Sequence, residues 1–127
     1  MKPLVYRKSR RVRGTEPVRH KLHLAKGDTM QVIRGDDRGK QGKVLHVHPK
    51  TFRVTVEGVN IIKKHHRART QEQESRIIER PAPIAASKVM LLDPKSGAPT
   101  RVRRRRDADG TVERIAVKSG QPIPRVR

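Results

Sequence analysis

The sequence predicts a mainly β protein, in which a small barrel of short strands carries a C-terminal β-hairpin region and extended basic arms. Short runs alternate apolar and polar residues, most clearly from Phe52 to Val56. Segments rich in glycine, proline and aspartate separate these runs and mark turns. Hydrophobic residues make up 32% of the chain, and Phe and Tyr occur once each. The expected core is therefore small, as in a barrel that closes its own edges.

Residues 1–20 form the first predicted part, a basic N-terminal extension. Lysine and arginine dominate it, Glu16 is its single acid, and Pro3, Gly14 and Pro17 interrupt any long element. We expect this arm to lack stable structure in isolation and to become ordered when it binds a partner.

Residues 21–70 form the predicted barrel. A first strand through Met30 and Val32 follows a turn at 26–28, and a loop of glycines and cations spans 35–42. The remaining predicted elements are a strand at 44–47, a hairpin tip at 48–51, a strand at 52–56 and an apolar segment at 59–62 that gives way to cations.

Residues 71–118 form a C-terminal β region that we expect to pack as part of the same unit, and residues 119–127 form a loose tail. The polar stretch 67–76 is predicted to be an excursion or linker. The predicted elements that follow are an extended segment at 77–84, a strand at 89–92, a turn at 94–97 and a hairpin that pairs 101–106 with 112–117 through Asp107–Gly110.

The charge of the chain indicates a polyanionic partner, with nucleic acid as the first candidate. Lysine and arginine number 32 against 12 acids, which gives a formal net charge of +20. Because Tyr6 and Phe52 are the only aromatic residues of the Phe, Tyr and Trp type, the chain is suited to phosphate backbones and folded shapes rather than to base stacking. The absence of cysteine excludes disulfides and thiolate chemistry. No apolar run approaches the roughly 20 residues of a membrane span.

The candidate RNA-binding residues are cations, glycines and histidines that cluster in four places along the chain. Glycines allow close backbone approach, and cations neutralise phosphates. They are Arg10, Arg11 and Arg13 in the arm; Lys26, Arg34, Arg38, Gly39, Lys40, Gly42 and Lys43 around the glycine loop; Lys63, Lys64, His65, His66, Arg67 and Arg69 in a strip that leaves the barrel; and Arg103, Arg104, Arg105 and Arg106 in the C-terminal hairpin.

Other polar residues suggest metal or acid–base chemistry only weakly. Asp36 and Asp37 are expected to cap their turn and to pair with nearby arginine. His65 and His66 are adjacent, so on an extended chain their side chains point apart and no third ligand is evident. We therefore predict no catalytic residue, no metal site and no cofactor. Phe52 is expected in the core or as support for its hairpin, and stacking on a base is the alternative.

Two segments resemble known families. Residues 27–44, GDTMQVIRGDDRGKQGKV, resemble the KOW motif. Residues 56–65, VEGVNIIKKH, resemble the matching segment of the bacterial large-subunit ribosomal protein twenty-four family, as do later segments at 78–89 and 93–102. The resemblance covers about residues 21–118. The chain departs from that family in having Glu74-Ser75-Arg76 where glycines are usual, a longer basic arm, and Arg103–Arg106 where aromatic residues are frequent.

This resemblance implies an SH3-like barrel in a cytoplasmic ribosomal protein of the large subunit. It implies binding to large-subunit ribosomal RNA, contacts with neighbouring ribosomal proteins, a role in starting subunit assembly and a seat near the exit of the peptide tunnel. The hairpin tip that would reach toward the opening is His48, Pro49, Lys50 and Thr51. Neither membrane association nor a homo-oligomer is expected.

Three other classes of protein remain as alternatives. A transcription elongation factor shares the KOW motif but carries a larger α/β domain before it, for which residues 1–20 are too short. A nucleoid protein would bind DNA without preference for ribosomal RNA. A small nuclease would need paired carboxylates or histidine in a pocket, whereas the acids of this chain are scattered.

Overall fold

The computed structural model describes residues 18–71 and 74–125, and these form β-strands joined by short turns. A single short 3-10 turn, Ala86–Lys88, accompanies the strands in these ranges, so no described helix has the length or apolar character to span a bilayer. The strands are β1 Thr29–Val32, β2 Gln41–His48, β3 Arg53–Val56, β4 Ile61–His66, β5 Arg76–Pro81, β6 Ile84–Ala85, β7 Val89–Leu92, β8 Pro99–Thr100, β9 Val102–Arg106 and β10 Val112–Ala116.

A six-stranded sheet forms the body of the molecule, with the strand order β6-β3-β2-β1-β7-β8. Met30 of β1 lies opposite Gly42 of β2 on one side and Leu91 of β7 on the other. The sheet thus combines strands from before and after residue 70. Its end strands, β6 and β8, are two residues long, and such short edges limit pairing with other chains. The mainly β, SH3-like fold expected from the sequence is confirmed.

Alternating residues of these strands supply a small core. Met30, Val54 and Val56 are at most 1% exposed, and Leu91 from the far side of the sheet belongs to the same cluster. Strands near one edge of the sheet, such as β3, and near the other edge, such as β7, contribute to this one cluster, so the sheet wraps around its own core. Burial of each such side chain stabilises the fold by roughly 1.5–3 kcal/mol.

Two hairpin ribbons extend the body. β4 pairs with β5, and β9 pairs with β10, each in an antiparallel ladder. The β9–β10 hairpin confirms the turn predicted at Asp107–Gly110, where the Gly110 N–H donates to the Asp107 carbonyl. Residues 63–66 of the predicted cationic strip belong to a paired strand, because Arg76–Pro81 returns alongside them. The segment predicted as an excursion or linker at 67–76 connects these two strands, except that Arg76 is already the first residue of β5.

The C-terminal tail was expected to be loose, and its described part is attached instead. The Ile123 N–H donates to the Arg114 carbonyl at 2.7 Å, and Pro122 bridges to Ile115. Gly120, with φ of 70°, reverses the chain after β10 and so allows this return. Ile123 then packs against the core, which supplies the apolar burial that the tail was expected to lack.

A buried ion pair joins the first turn of the barrel to the C-terminal hairpin. Arg114 and Asp28 are 4% and 5% exposed, and the guanidinium donates to both carboxylate oxygens, at 2.5 and 2.9 Å. The same guanidinium donates to the carbonyls of His23 and Pro124. Because one planar donor group bonds to acceptors in residues 23–28 and in the C-terminal tail, Arg114 fixes the hairpin and the tail on the barrel.

Asp93 forms a second polar centre, after β7. Its side chain is buried and accepts hydrogen bonds from the Ser119 hydroxyl at 2.7 Å, the Lys95 N–H at 3.0 Å and the Ser96 hydroxyl at 3.1 Å. These donors stabilise the carboxylate, so the Ser119 hydroxyl first, and then the Lys95 N–H, lower the pKa of Asp93 below 3.8.

Candidate nucleic-acid interface

The glycine loop between β1 and β2 presents its cations to solvent. The Gly39 N–H donates to the Val32 carbonyl at 2.8 Å, and Gly39 adopts a left-handed φ of 88°. A Cβ built at Gly39 would meet no atom within 4 Å, so glycine is required there for backbone conformation rather than for space. The cations that this loop and its flanks expose are Arg34, Arg38, Lys40 and Lys43, with Lys26 exposed in the preceding turn.

Gly42 plays a different part from the one expected, which was to let a ligand approach the backbone. A Cβ at this position would overlap the Glu57 carbonyl oxygen and press on the Val56 side chain. The Glu57 N–H donates to the Lys43 carbonyl at 2.9 Å beside this contact. Gly42 is therefore explained by the close approach of the chain's own β3 end.

Asp37 ties the glycine loop to the base of the β4–β5 ribbon. One carboxylate oxygen pairs with the Lys40 ammonium at 2.5 Å, and the other accepts the Asn60 N–H at 2.7 Å. Asn60, at a left-handed φ of 53°, also exchanges hydrogen bonds with Ala82, which follows β5 at the same base of the ribbon. The Lys40 side chain first, and then the Asn60 N–H, lower the pKa of Asp37. The expected partner was an arginine; a lysine and a backbone N–H take its place.

The strip of candidate cations at 63–66 is divided between two faces of a ribbon. Successive residues of a strand point to opposite faces, so Lys64 and His66 lie on one face while Lys63 and His65 lie on the other. Lys63 lies opposite Glu79 and pairs with it at 3.5 Å. Arg67 and Arg69 continue beyond the strand as exposed side chains.

Sequence reasoning missed two cations of this ribbon, Arg76 and Arg80. The register places Arg76 opposite His66, and Arg80 opposite Ile62, so both lie on the face of Lys64. The signal that could have found them is the two-residue period of a strand: once 76–81 is paired with 61–66, alternate residues of 76–81 fall on the same face.

The four arginines of β9 also divide between two faces. Arg105 lies opposite Glu113, bonds to it at 3.1 Å and pairs with Asp107 at 3.3 Å. Arg104 lies on the other face, opposite the buried Arg114. Arg103 shares the face of Arg105, and Arg106 shares the face of Arg104.

His23 lies near this second face. Burial first, and then the charges of Arg104 and Arg114, lower the pKa of His23 below 6.5.

The predicted hairpin tip lies between β2 and β3. The Thr51 N–H donates to the His48 carbonyl, and Pro49, Lys50 and Thr51 are exposed, while the His48 ring bonds to the Thr55 hydroxyl at 3.2 Å. Phe52, at a left-handed φ of 54° and 39% exposed, is not a core residue. Its ring and the His20 ring pack in a T-shaped arrangement, with centroids 5.3 Å apart. It therefore supports the hairpin, which was the other expectation.

On the described surface, most cations have no carboxylate partner, and no cluster of side chains suited to bind a metal accompanies them. Across residues 18–71 and 74–125, ion pairs engage Lys40, Lys63, Arg105 and Arg114 alone among the cations. The same ranges hold no group of three or more His, Cys, Asp or Glu side chains that could bind a metal. The predicted arm residues Arg10, Arg11 and Arg13 lie outside the described residues.

Comparisons with known proteins match this architecture. Residues 26–57 match the KOW motif, and residues 59–123 match the family described as large ribosomal subunit protein uL24, C-terminal domain. The first match spans β1 to β3 with the glycine loop, and the second spans both ribbons and the attached tail.

Individual relatives agree over most of their length. The chain is 50% identical to large ribosomal subunit protein uL24 of Moorella thermoacetica over 103 residues, which cover 81% of this chain and 95% of the relative. It is 52% identical to the uL24 proteins of Geobacillus stearothermophilus and Bacillus thuringiensis over 100 residues, 79% of this chain and 96% of each relative. The chain therefore belongs to the large ribosomal subunit protein uL24 family, whose members are structural, non-enzymatic constituents of the ribosome in the cytoplasm.

Proposed function

We propose that this protein binds large-subunit ribosomal RNA, of the 23S type, through its exposed cations. The observation that carries the proposal is the excess of exposed cations over carboxylate partners: Arg34, Arg38 and Lys43 around the glycine loop form no ion pair with any described residue. Such charges repel one another in the isolated protein, and phosphates relieve that repulsion. Binding releases the counterions of the RNA and is therefore salt-dependent.

Recognition would depend on the RNA backbone and its shape. The one aromatic ring of the Phe, Tyr or Trp type in the described residues, Phe52, already packs in a T-shaped arrangement with His20. Stacking platforms for unpaired bases need such rings to be available. A rigid sheet with cationic loops and ribbons is suited instead to phosphates presented by a folded RNA.

Binding of the purified full chain to a large-subunit ribosomal RNA transcript tests the proposal. Competition with small-subunit RNA and with duplex DNA of matched length measures preference, and we expect the large-subunit RNA to compete best. Equal competition by DNA would overturn the proposal in favour of a general DNA-binding protein.

The glycine loop can be tested in the same assay with the triple variant Arg34→Gln, Arg38→Gln and Lys43→Gln. The slope of log affinity against log salt should fall by about one for each phosphate that the variant no longer neutralises. The matched control replaces Lys95, Arg101 and Lys118, which are also exposed, by glutamine. An equal fall in both variants would show that total charge, not the loop, determines binding.

The proposal extends to the start of subunit assembly. Cations on the glycine loop, on β4–β5 and on β9–β10 project from different elements of one body, so a single molecule can hold several RNA segments together. In subunit reconstitution, omission of the chain from the first step should slow assembly more than omission from the last step. Identical rates in both omissions would overturn this role.

We also propose that the 48–51 hairpin tip lies near the exit of the peptide tunnel. Its exposed position between β2 and β3 is compatible with a projecting contact. A photo-crosslinker placed at Lys50 in assembled subunits should reach emerging chains, whereas one placed at Lys95 should not. Crosslinks from neither position, in translating ribosomes that contain the protein, would contradict this placement.

A further inference from the structure

The β4–β5 ribbon has two faces of different charge, and the strand register defines them. One face carries Lys64, Arg76, Arg80 and His66 beside two isoleucines, and no carboxylate from either strand. The opposite face carries Lys63 and Glu79, which pair at 3.5 Å and cancel. We name the first the cationic face and the second the paired face.

The cations of the cationic face form a regular array. Ile62 lies opposite Arg80 and Lys64 opposite Ile78, so a cation faces an isoleucine in each of these pairs, while Arg76 lies opposite His66. Diagonal neighbours in such a ladder are about 7–8 Å apart. Arg80, Lys64 and Arg76 thus follow a zigzag along one side, with flexible side chains that can each reach a separate phosphate.

The ribbon is anchored but not buried. The Ala82 N–H donates to the Asn60 carbonyl at 2.9 Å, and the Asn60 N–H is held by Asp37, so its base is fixed to the glycine loop. Every residue of β4 is exposed, and the core cluster draws on neither β4 nor β5. The cationic face is therefore available to a partner in the described structure.

We propose that the cationic face is a phosphate-binding site for one RNA segment, and that the paired face does not contact RNA. The inference rests on the proposed function and adds Arg76 and Arg80 to it, while it removes Lys63 and His65 from the predicted strip. The cations of this face repel one another, and a polyanion that covers the face relieves this repulsion. The Lys63–Glu79 pair has no such requirement.

Adjacent lysines of one strand provide a matched test. Lys64→Gln and Lys63→Gln remove the same charge, and both side chains are exposed. The full chain is titrated with the large-subunit RNA transcript between about 50 and 200 mM salt. We expect Lys64→Gln to lower the salt slope by about one, Arg76→Gln with Arg80→Gln to lower it by about two, and Lys63→Gln to leave it unchanged.

The outcomes separate this inference from the proposed function. If the wild-type chain binds the transcript but Lys63→Gln and Lys64→Gln reduce the slope equally, the two-face assignment is wrong. If the wild-type chain shows no preference for the transcript, the proposed function itself fails. The charge-preserving change Arg76→Lys with Arg80→Lys should restore the slope, and thermal unfolding should be unchanged for every variant because these positions are exposed.

Discussion

At the scale of single residues, the loop's two aspartates differ although they are neighbours. Asp37 holds Lys40 and the Asn60 N–H, and so it joins two cationic elements. Asp36 is exposed and makes no side-chain hydrogen bond or ion pair within residues 18–71 and 74–125. If the loop binds RNA as proposed, each aspartate repels phosphate, but the bonds of Asp37 to Lys40 and to the Asn60 N–H give it a positioning role that Asp36 lacks.

This difference gives a prediction about the sign of an effect on RNA affinity. Asp36→Ala removes a negative charge and should raise affinity for the ribosomal RNA transcript, or leave it unchanged. Asp37→Ala removes the same charge but releases Lys40 and Asn60, so it should lower affinity. Filter binding of the two variants under one salt condition measures this. A rise in affinity for both variants would mean that Asp37 acts only by repelling phosphate, and not by positioning Lys40 and Asn60.

At the scale of elements, the β9–β10 hairpin illustrates how one arginine among many acquires a structural role. Arg104 and Arg114 face each other across the ladder, yet Arg104 is exposed and Arg114 is enclosed with Asp28. The pair fixes where the hairpin and the tail lie on the barrel. Removal of one partner leaves the other charge buried without compensation.

We predict that Arg114→Met destabilises the protein by about 3–5 kcal/mol, the usual cost of breaking a buried ion pair. Arg104→Met is the control on the same face and should change the free energy of unfolding little, since its side chain is exposed. Urea unfolding measures both. The double variant Asp28→Asn with Arg114→Met should recover part of the lost stability, and strict additivity of the two changes would contradict a coupled pair.

At the scale of the whole molecule, the strand pattern was predictable because hydrophobic alternation and turn residues are local signals. Val54, Val56 and the Asp107–Gly110 turn lie where such signals placed them. The division of the cations between faces was not predictable, since it depends on which strand pairs with 61–66. Arg114 and the attached tail were missed for the same reason: a contact 86 residues apart leaves no local trace.

Acid sensitivity links these scales, because the Asp93 carboxylate holds separate segments together and its hydrogen bonds favour the ionised form. Asp93 joins the turn after β7 to Ser119, and its donors lower its pKa below 3.8. The unfolded chain therefore binds more protons than the folded chain at and below that pH, so this stabilisation is complete above pH 3.8 and is lost as the pH falls through the folded pKa. His23 acts in the same direction from pH 6.5 downward, since its pKa is also lowered.

Ser119→Ala tests this account, since it removes the donor that contributes most to the shift while it keeps the carboxylate. We expect the variant to melt at a lower temperature than the wild type at neutral pH, and the difference to shrink as the pH falls below 3.8, where protonation removes the advantage of the hydrogen bond. Ser87→Ala, at an exposed serine of the 3-10 turn, should match the wild type at every pH. A difference between Ser119→Ala and wild type that stays constant from neutral to acid pH would mean that the hydroxyl acts by packing, and not through the charge of Asp93.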